Sequence, residues 1–336
     1  MVLKRNNVAV MPSSVSHRRR TLAAAALAPL LLTLVACGSD GSGDSDDRLS
    51  VVAGAYPFAY VAEQIGGTMV SVDNLTQPGV EPHDVELTAQ QLGSIVDADL
   101  VVTLDGFQPQ VDDAINQSDL ADDAVLDLAD VVPLLESSAD GHTEEHADHD
   151  HEEGEDDHGH DHGGIDPHVW LDPERMLMVS DAVADRLSTL DPDNAAEYRK
   201  NADALDAELT ALDKDFDTGL AQCRIRSFVT SHAAFGYLAD AYDLEQIPIA
   251  GIDPNTEPST QQLAEITGLV ETEGITTVFT EELSSPRTAE TIAREAGVTT
   301  AVLSPIEGLT DDTSDETYLT LMRQNLAALQ KANDCP

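Results

Sequence analysis

Residues 195–220 read AAEYRKNADALDAELTALDKDFDTGL, and their spacing of apolar side chains predicts one long helix. Apolar residues recur there every three or four positions, as expected for a helix with one buried face. They are Ala202, Leu205, Leu209, Leu212, Phe216 and Leu220. A helix of about 25 residues would be roughly 38 Å long at 1.5 Å per residue, which makes it a rigid connector between two lobes. Asp191 before Pro192 predicts its N-cap, with proline at the first helical position.

Strand and helix patterns alternate on both sides of this connector. Before it, strand patterns at 49–53, 70–75 and 100–104 alternate with helical patterns at 57–65 and 87–96, and a further helical pattern covers 173–190. After it, strand patterns at 227–230, 276–280 and 299–303 alternate with helical patterns at 233–241, 259–272, 288–295 and 317–331. Such alternation is typical of parallel sheets covered by helices. We therefore predict an α/β fold with two Rossmann-like lobes, each a mainly parallel sheet flanked by helices, joined by one long rigid helix.

The N-terminus has the pattern of an export signal. Arginines at 18–20 precede an apolar run at 21–35, whose 15 residues fall short of the roughly 18 to 20 that a membrane-spanning helix needs. Leu34-Val35-Ala36-Cys37-Gly38 resembles a bacterial lipobox, so we expect cleavage before Cys37 and lipidation of that cysteine. An ordinary signal peptide with an incidental cysteine is the alternative, and twin-arginine export is a further possibility. Residues 39–47 contain only Ser, Gly and Asp, which predicts a flexible tether.

The charge balance excludes several classes of partner. Without the leader the chain carries 12 bases against 63 acids, a formal net charge of −51 with neutral histidines. Such a charge argues against nucleic acid and anionic lipid headgroups, and it favours cations. A generally acidic surface, of the kind found in high-salt or high-GC actinobacterial proteins, accounts for most of it without any function.

Cys223 and Cys335 are the cysteines left once Cys37 is assigned to the lipobox. An exported protein permits a disulfide between them, and we expect one because it would hold a C-terminal helix that otherwise frays. The bridge would close a loop of about 110 residues, which the chain-entropy relation values at about 4.7 kcal/mol. Two unpaired thiols or two thiolate zinc ligands are the alternatives.

Seven of the eleven histidines lie in one acidic stretch, residues 140–164, called here the His-rich tract. It also holds eleven acids and no aromatic or branched apolar residue, so we expect it to be disordered. It is expected either to bind metal ions weakly and pass them on or to be a solvated spacer. Its histidines are His142, His146, His149, His151, His158, His160 and His162.

Three other histidines stand alone in loops framed by proline or glycine: His83, His168 and His232. Each follows a strand pattern or leads into a helix, and ligands of parallel α/β lobes bind at the carboxyl ends of the strands. Three imidazoles meeting there would supply most of a tetrahedral Zn²⁺ shell. A single histidine of this kind is more often a capping or surface residue, so only the three together indicate a metal site.

Three segments around these histidines resemble the cluster A-I (TroA-like) metal-binding proteins of ABC importers. They are PGVEPHD at 78–84, DPHVWLDP at 166–173 and HAAFGY at 232–237. The closest likeness is to the zinc-uptake (ZnuA-type) branch, which often carries a His- and Asp-rich loop before the second segment. The resemblance covers essentially the whole mature chain, including the long helix and GIDPNTEPS at 251–259.

The resemblance implies a TroA-like receptor with His83, His168 and His232 as metal ligands. Histidine at position 232 is typical of zinc members, since manganese members have glutamate there. The implied cargo is Zn²⁺, and the implied partners are an ABC permease and its ATPase. We expect a monomeric, non-enzymatic lipoprotein, held by its lipid at the outer face of the cell membrane.

The fourth ligand is less defined, because family members place either a carboxylate or a water on the C-terminal lobe. Glu307 follows a strand pattern at the position where that carboxylate usually lies, and we favour it. Glu281, Glu282 and Glu81 are its rivals.

Three residues around the second segment have expected supporting roles. Trp170 is expected to pack beside His168. Asp166 and Asp172 are expected either to orient the His168 imidazole or to cap a helix, and both roles are open for each.

Three other functions are alternatives to a zinc receptor. A manganese or other divalent-metal receptor would use the same site. A secreted zinc hydrolase would need an open coordination position and a general base, commonly in His-Glu-x-x-His, and the sequence has no such motif. A surface chelator or adhesin that used the His-rich tract alone would need neither the three framed histidines nor two lobes.

The expected organisation follows from these assignments. Residues 1–36 form a lipoprotein signal peptide and 37–48 a tether. The N-terminal metal-binding lobe is 49–190, the connecting helix 191–220 and the C-terminal lobe 221–336.

Overall fold

The computed structural model of the chain describes residues 48–136 and 164–336, all within one compact unit, Asp46–Pro336. The predicted signal peptide, Cys37 and the tether up to residue 47 lie outside the described residues. So does the His-rich tract up to residue 163. Among the described helices, none has the length and apolar character needed to cross a membrane.

The first half of the described chain forms a parallel sheet with helices between its strands. The strands are β1 (Leu49–Ala53), β2 (Val70–Asn74), β3 (Leu100–Thr103) and β4 (Val125–Asp127). The helices are α1 (Tyr56–Gly66), α2 (Ala89–Val96) and α3 (Pro109–Gln117). The strand order is β2-β1-β3-β4, and each neighbouring pair is parallel.

The second half repeats this topology after two long helices, α4 (Pro173–Leu190) and α5 (Ala195–Leu220). Its strands are β5 (Ser227–Thr230), β6 (Glu245–Pro248), β7 (Thr277–Thr280) and β8 (Thr299–Val302). Its helices are α6 (Gly236–Ala241), α7 (Thr260–Thr272), α8 (Arg287–Ala296) and α9 (Tyr318–Ala332). The order β6-β5-β7-β8 is again parallel throughout. The predicted pair of parallel α/β lobes is confirmed.

Alternate residues of the central strands point into different cores, as the two-residue period of a strand requires. In β1, Val51 and Ala53 belong to a large core, whereas Val52 belongs to a small one on the outer face of the sheet. In β5, Phe228 and Val229 divide in the same way. The large core contains residues of both sheets and of α1, α4, α5 and α9. The two halves therefore share one hydrophobic core.

The long helix α5 forms as predicted, but it starts differently. All six apolar residues of the predicted face are buried. The predicted N-cap is wrong: the Asp191 amide donates to Leu187 O at 2.9 Å, which places Asp191 at the end of α4, and Asn194 precedes α5. The Asp191 carboxylate instead accepts a hydrogen bond from Tyr198 Oη at 2.9 Å. It thereby ties the turn between the two helices to α5.

Three elements were not anticipated, and α2 and α6 begin two and three residues later than predicted. The missing elements, α3, β4 and β6, are short. Both strands lie at sheet edges, and all of their residues except Leu126 are at least partly exposed. The helix predicted from residue 233 begins at Gly236. Residues 231–235 form a turn instead, in which Ala233 N donates to Gly251 O at 3.0 Å.

Cys223 and Cys335 form the expected disulfide. The bridge joins the chain just beyond α5 to the chain just beyond α9. Ile225 N donates to Asn333 O at 3.0 Å beside it, so backbone pairing reinforces the covalent link.

Candidate metal centre

His83 lies in the loop that follows β2, within a short 3-10 helix, Pro82–Asp84. Its backbone amide donates to the Glu81 side chain at 3.3 Å. Gln108, which is buried, donates through Nε2 to Pro82 O at 3.2 Å. The start of α3 therefore holds this loop directly before the imidazole.

His168 is oriented by Asp166, two residues earlier. One carboxylate oxygen, Asp166 Oδ1, accepts from both His168 N at 3.0 Å and the ring Nδ1 at 2.7 Å. Asp172 has the other expected role, because its side chain accepts from Glu174 N at 2.8 Å and caps α4. Each acid thus has one of the two expected roles. Asp166 orients the imidazole so that His168 Nε2 faces the site, and Asp172 caps a helix.

His232 lies just past the end of β5 and has an equivalent partner. Its Nδ1 donates to Glu281 Oε2 at 2.7 Å, and its backbone amide donates to Glu281 Oε1 at 3.2 Å. Thr230 Oγ1 and Gln246 Nε2 both donate to His232 O. A carboxylate on Nδ1 fixes the ring tautomer and raises the basicity of Nε2, as it does in many metal sites.

Glu307 follows β8 and meets all three imidazoles with one oxygen atom. Glu307 Oε1 lies 2.9 Å from His168 Nε2, 3.2 Å from His83 Nε2 and 3.3 Å from His232 Nε2. The Nε2 atoms of His168 and His232 are 3.4 Å apart. We call these four residues the His3Glu cluster, and their ligand atoms all lie within 4.8 Å of one another.

These spacings match a tetrahedral zinc shell. Zn–N bonds near 2.0–2.1 Å place two ligand atoms of a tetrahedron about 3.3 Å apart. Four of the contacts within the His3Glu cluster, at 2.9, 3.2, 3.3 and 3.4 Å, are close to that value. Among the described residues, no other group of three or more His, Cys, Asp or Glu side chains is arranged to hold a metal ion.

The rivals of Glu307 have other partners. Glu281 lies at the Nδ1 side of the His232 ring, away from the ligand atoms. Glu81 accepts the His83 amide, and burial, followed by the charge of Glu307, raises its pKa to about 8. Burial also raises the pKa of Glu282. The structure thus brings only Glu307 of these four carboxylates to the three Nε2 atoms.

The imidazoles and carboxylates of the cluster and its neighbours shift one another's pKa values, and the cluster is almost closed to solvent. Burial lowers the pKa of His83. Burial acts in the same sense on His168 and His232, but the carboxylates on both sides outweigh it and raise their pKa, that of His232 well above its usual value. Burial opposes ionisation of Glu307, yet the imidazoles, His232 foremost, hold its pKa well below the usual range. Only His83 keeps some exposure, 10% of its side chain.

Aromatic rings line the site on the side of the first half. The Phe107 ring meets His83 edge-on, with centroids 4.9 Å apart. Trp170 lies beside His168 as expected, with centroids 5.2 Å apart, and is fully buried. Its Nε1 donates to Pro305 O at 2.7 Å, which ties this wall to the segment that carries Glu307.

The family of the chain follows from a sequence profile. The profile described as zinc-uptake complex component A, periplasmic (ZnuA), matches residues 51–332, which is most of the chain and includes the whole His3Glu cluster. The chain belongs to the ZnuA family. The resemblance noted in the sequence is thereby confirmed.

Curated relatives of this ZnuA-family chain are named for zinc. The zinc-binding lipoprotein AdcA of Streptococcus pneumoniae serotype 4 is 37% identical over 309 residues, covering 90% of this chain and 59% of AdcA. The chain thus spans a little over half the length of the AdcA relatives that it matches. The high-affinity zinc uptake system protein ZnuA of Bacillus subtilis is 36% identical over 314 residues, with 90% and 95% covered.

Solved structures agree with the family fold. The Zn(II)-bound ZnuA-like domain of Streptococcus pneumoniae AdcA superposes with a TM-score of 0.70 at 33% identity, covering 85% of this chain and 99% of that domain. The metal-dependent lipoprotein YcdH of Bacillus subtilis gives 0.69 at 31% identity, with 85% and 99% covered.

The four cluster residues stand out in the sequence, whereas several side chains that support them do not. Gln108 and Gln246 each fix a histidine-bearing loop, and neither lies in a motif that could have drawn attention to it. Glu281 is a candidate ligand from the sequence, but in the structure it is the partner of His232 Nδ1.

Proposed function

We propose that this chain is the extracytoplasmic receptor of an ABC importer, which binds Zn²⁺ at the His3Glu cluster and delivers it to a membrane permease. The observation that carries the proposal is the convergence of three Nε2 atoms on Glu307 Oε1 at 2.9–3.3 Å. The ZnuA family and the names of the curated relatives point the same way.

The four ligand atoms of the cluster favour zinc over manganese, and they favour binding of the ion over catalysis. Three imidazoles and one carboxylate suit Zn²⁺ better than the harder Mn²⁺, which favours oxygen donors. Catalytic zinc sites keep one coordination position for water or substrate, whereas four protein ligands fill a tetrahedral shell. The cluster is therefore suited to holding an ion for transfer, and a hydrolase is less well supported.

The proposed organisation follows the sequence. Residues 1–36 are a signal peptide, lipid on Cys37 anchors the receptor, and residues 37–48 tether it to the outer face of the membrane. The N-terminal lobe is 49–190, the connecting segment 191–220 contains the long helix α5, and the C-terminal lobe is 221–336. The partners are the permease and its ATPase, and the receptor acts as a monomer. Several relatives are themselves named lipoproteins.

We infer that capture involves little closure of the lobes. The inner faces of both sheets, α4, α5 and α9 share one core, so a hinge motion between the halves would expose buried apolar surface. Because His83 is the most exposed member of the cluster, we place metal entry on its side. The His-rich tract is proposed as an auxiliary, weakly binding loop that feeds the cluster. Its last residue, Gly164, is described by the structure and precedes His168 by four positions.

Isothermal titration with Zn²⁺ tests the proposal. The chain without its signal peptide should show one tight site, and this site should persist after deletion of residues 140–164. His232→Ala should abolish tight binding, whereas the control His151→Ala, within the tract, should leave it unchanged. Loss of the tight site on deletion of the tract, or unchanged affinity in His232→Ala, would contradict the proposal.

A further inference from the structure

The segment that carries Glu307 is held by one buried amide side chain on α9. Asn325 Oδ1 accepts from Ser304 N at 2.8 Å, and Asn325 Nδ2 donates to Ser304 O at 2.6 Å. Asn325 is only 2% exposed. One side chain thus satisfies both backbone groups of a residue three positions before Glu307, and it fixes the place where the chain leaves β8.

Between this clamp and Glu307 the backbone is strained. Ile306 has φ 57°, in the left-handed region, and its side chain is fully buried. A β-branched residue is disfavoured in that conformation, which persists only where surrounding contacts impose it. The left-handed turn at Ile306 comes directly before Glu307, so it helps to set the direction in which that carboxylate points.

Three further hydrogen bonds hold the same segment. Ile306 N donates to Ser304 Oγ at 3.3 Å, and Pro305 O accepts from Trp170 Nε1 at 2.7 Å. Beyond Glu307, Leu309 O accepts from Gly79 N at 2.7 Å. The segment is therefore held on both sides of Glu307, and the Asn325 clamp is its attachment to α9.

We propose that Asn325 is a positioning residue for Glu307: by fixing Ser304 it maintains the strained turn that aims the carboxylate at the three imidazoles. The inference rests on the proposed function, in which Glu307 is a zinc ligand. Without the clamp the turn at Ile306 can relax. The Glu307 carboxylate is then no longer held at the fourth position of the tetrahedral zinc shell. Zinc binding must then also reorder the segment, which weakens affinity.

Asn325→Asp is the sharpest test, because it keeps the size and the acceptor for Ser304 N but removes the donor to Ser304 O. Zinc affinity, measured by competition with a chelator, should fall ~10- to 100-fold, the range for residues that orient metal ligands. Asn333→Asp is the matched control. Asn333, just past the end of α9, is 1% exposed and donates through Nδ2 to a different backbone carbonyl, Ile225 O, at 3.0 Å. The control should keep the parent affinity even if its melting temperature falls.

A double-mutant cycle separates positioning from general stability. If Asn325 acts through Glu307, Asn325→Asp should cause no further loss of affinity in a Glu307→Ala background. The visible spectrum of the Co²⁺-loaded protein should lose its tetrahedral intensity in Asn325→Asp and keep it in the control. Should Asn325→Asp fail to fold, Ser304→Ala removes the hydroxyl that accepts from Ile306 N in the same turn, and the same non-additivity with Glu307→Ala is expected.

The outcomes distinguish the two proposals. Equal losses from Asn325→Asp in the parent and in Glu307→Ala would overturn the positioning role. So would an unchanged affinity in Asn325→Asp while Glu307→Ala binds weakly. An unchanged affinity in Glu307→Ala itself would overturn the proposed ligand set, and the positioning role with it.

Discussion

Protons and zinc compete for the same imidazole nitrogens. Zinc binds neutral imidazole, so binding to the cluster must release any proton that His168 or His232 holds. Nearby carboxylates raise the pKa of both residues when no metal is bound, and that of His232 most. Protons should therefore still compete at a pH above about 6.5, where an ordinary histidine is already neutral.

We accordingly expect zinc affinity to rise with pH across pH 6 to 8 and beyond the ordinary imidazole range, by up to about tenfold per unit for each proton displaced. Chelator competition at a series of pH values measures the slope, and titration in buffers of different ionisation enthalpy counts the protons released. An affinity that is flat from pH 6 to 8, with no proton release, would contradict this assignment.

The individual residues of the His3Glu cluster were predictable to different degrees. His83, His168 and His232 stand out because their loops are framed by proline or glycine and match a family pattern. Glu307 and Glu281 could not be separated on local grounds, because each follows a strand, β8 and β7 respectively. Only the packed structure shows that one faces Nε2 atoms and the other an Nδ1 atom.

Among the elements, the last turn of α1 packs closely against the start of β2. A Cβ added to Gly66, its last residue, would lie 2.2 Å from Val70 Cγ2, and Val70 begins β2 and is buried. Gly93 in α2 offers a comparison, because a Cβ there meets nothing within 4 Å. Replacing glycine by alanine is therefore expected to have opposite effects on stability at the two positions.

Gly66→Ala should lower the free energy of unfolding by about 1–3 kcal/mol, because it overpacks a filled core. Gly93→Ala should raise it by roughly 0.5–1 kcal/mol, since alanine favours the helix and reduces the freedom of the unfolded chain. Urea unfolding of the two variants and the parent measures both effects. A Gly66→Ala protein as stable as Gly93→Ala would show that α1 and β2 are not packed in this way.

Elements with a strong periodic pattern were predictable, and edge elements were not. The face of α5 is readable because its buried residues repeat over 26 residues. Strand β4 has three residues, Val125–Asp127, and β6 ends at Pro248. Proline and polar residues are tolerated at sheet edges, so such strands carry little signal in the sequence.

At the scale of the molecule, the two halves share one core, and the disulfide adds a covalent link within it. Cys223 is buried in that core, and Cys335 packs against it. The bridge spans 112 positions of sequence, so its absence would free a long loop in the unfolded chain. The sequence predicted two lobes and this pairing. It did not predict that residues of both sheets belong to one core, which depends on long-range packing.

Replacing both cysteines by serine should therefore lower the free energy of unfolding by about 2–5 kcal/mol. Zinc affinity should change little, because neither cysteine belongs to the His3Glu cluster. Chemical unfolding and zinc titration of the double variant test both expectations. Equal stability with and without the bridge would contradict the first, and loss of tight zinc binding would contradict the second.

We propose that the His3Glu cluster binds one Zn²⁺ ion. Anomalous scattering from crystals of the zinc-loaded protein, recorded on both sides of the zinc absorption edge, would locate that ion. We expect one dominant peak, present only above the edge, about 2.0–2.1 Å from the Nε2 atoms of His83, His168 and His232 and bonded to Glu307 Oε1. A dominant peak elsewhere, or one at the three histidines with Glu307 turned away, would contradict the claim.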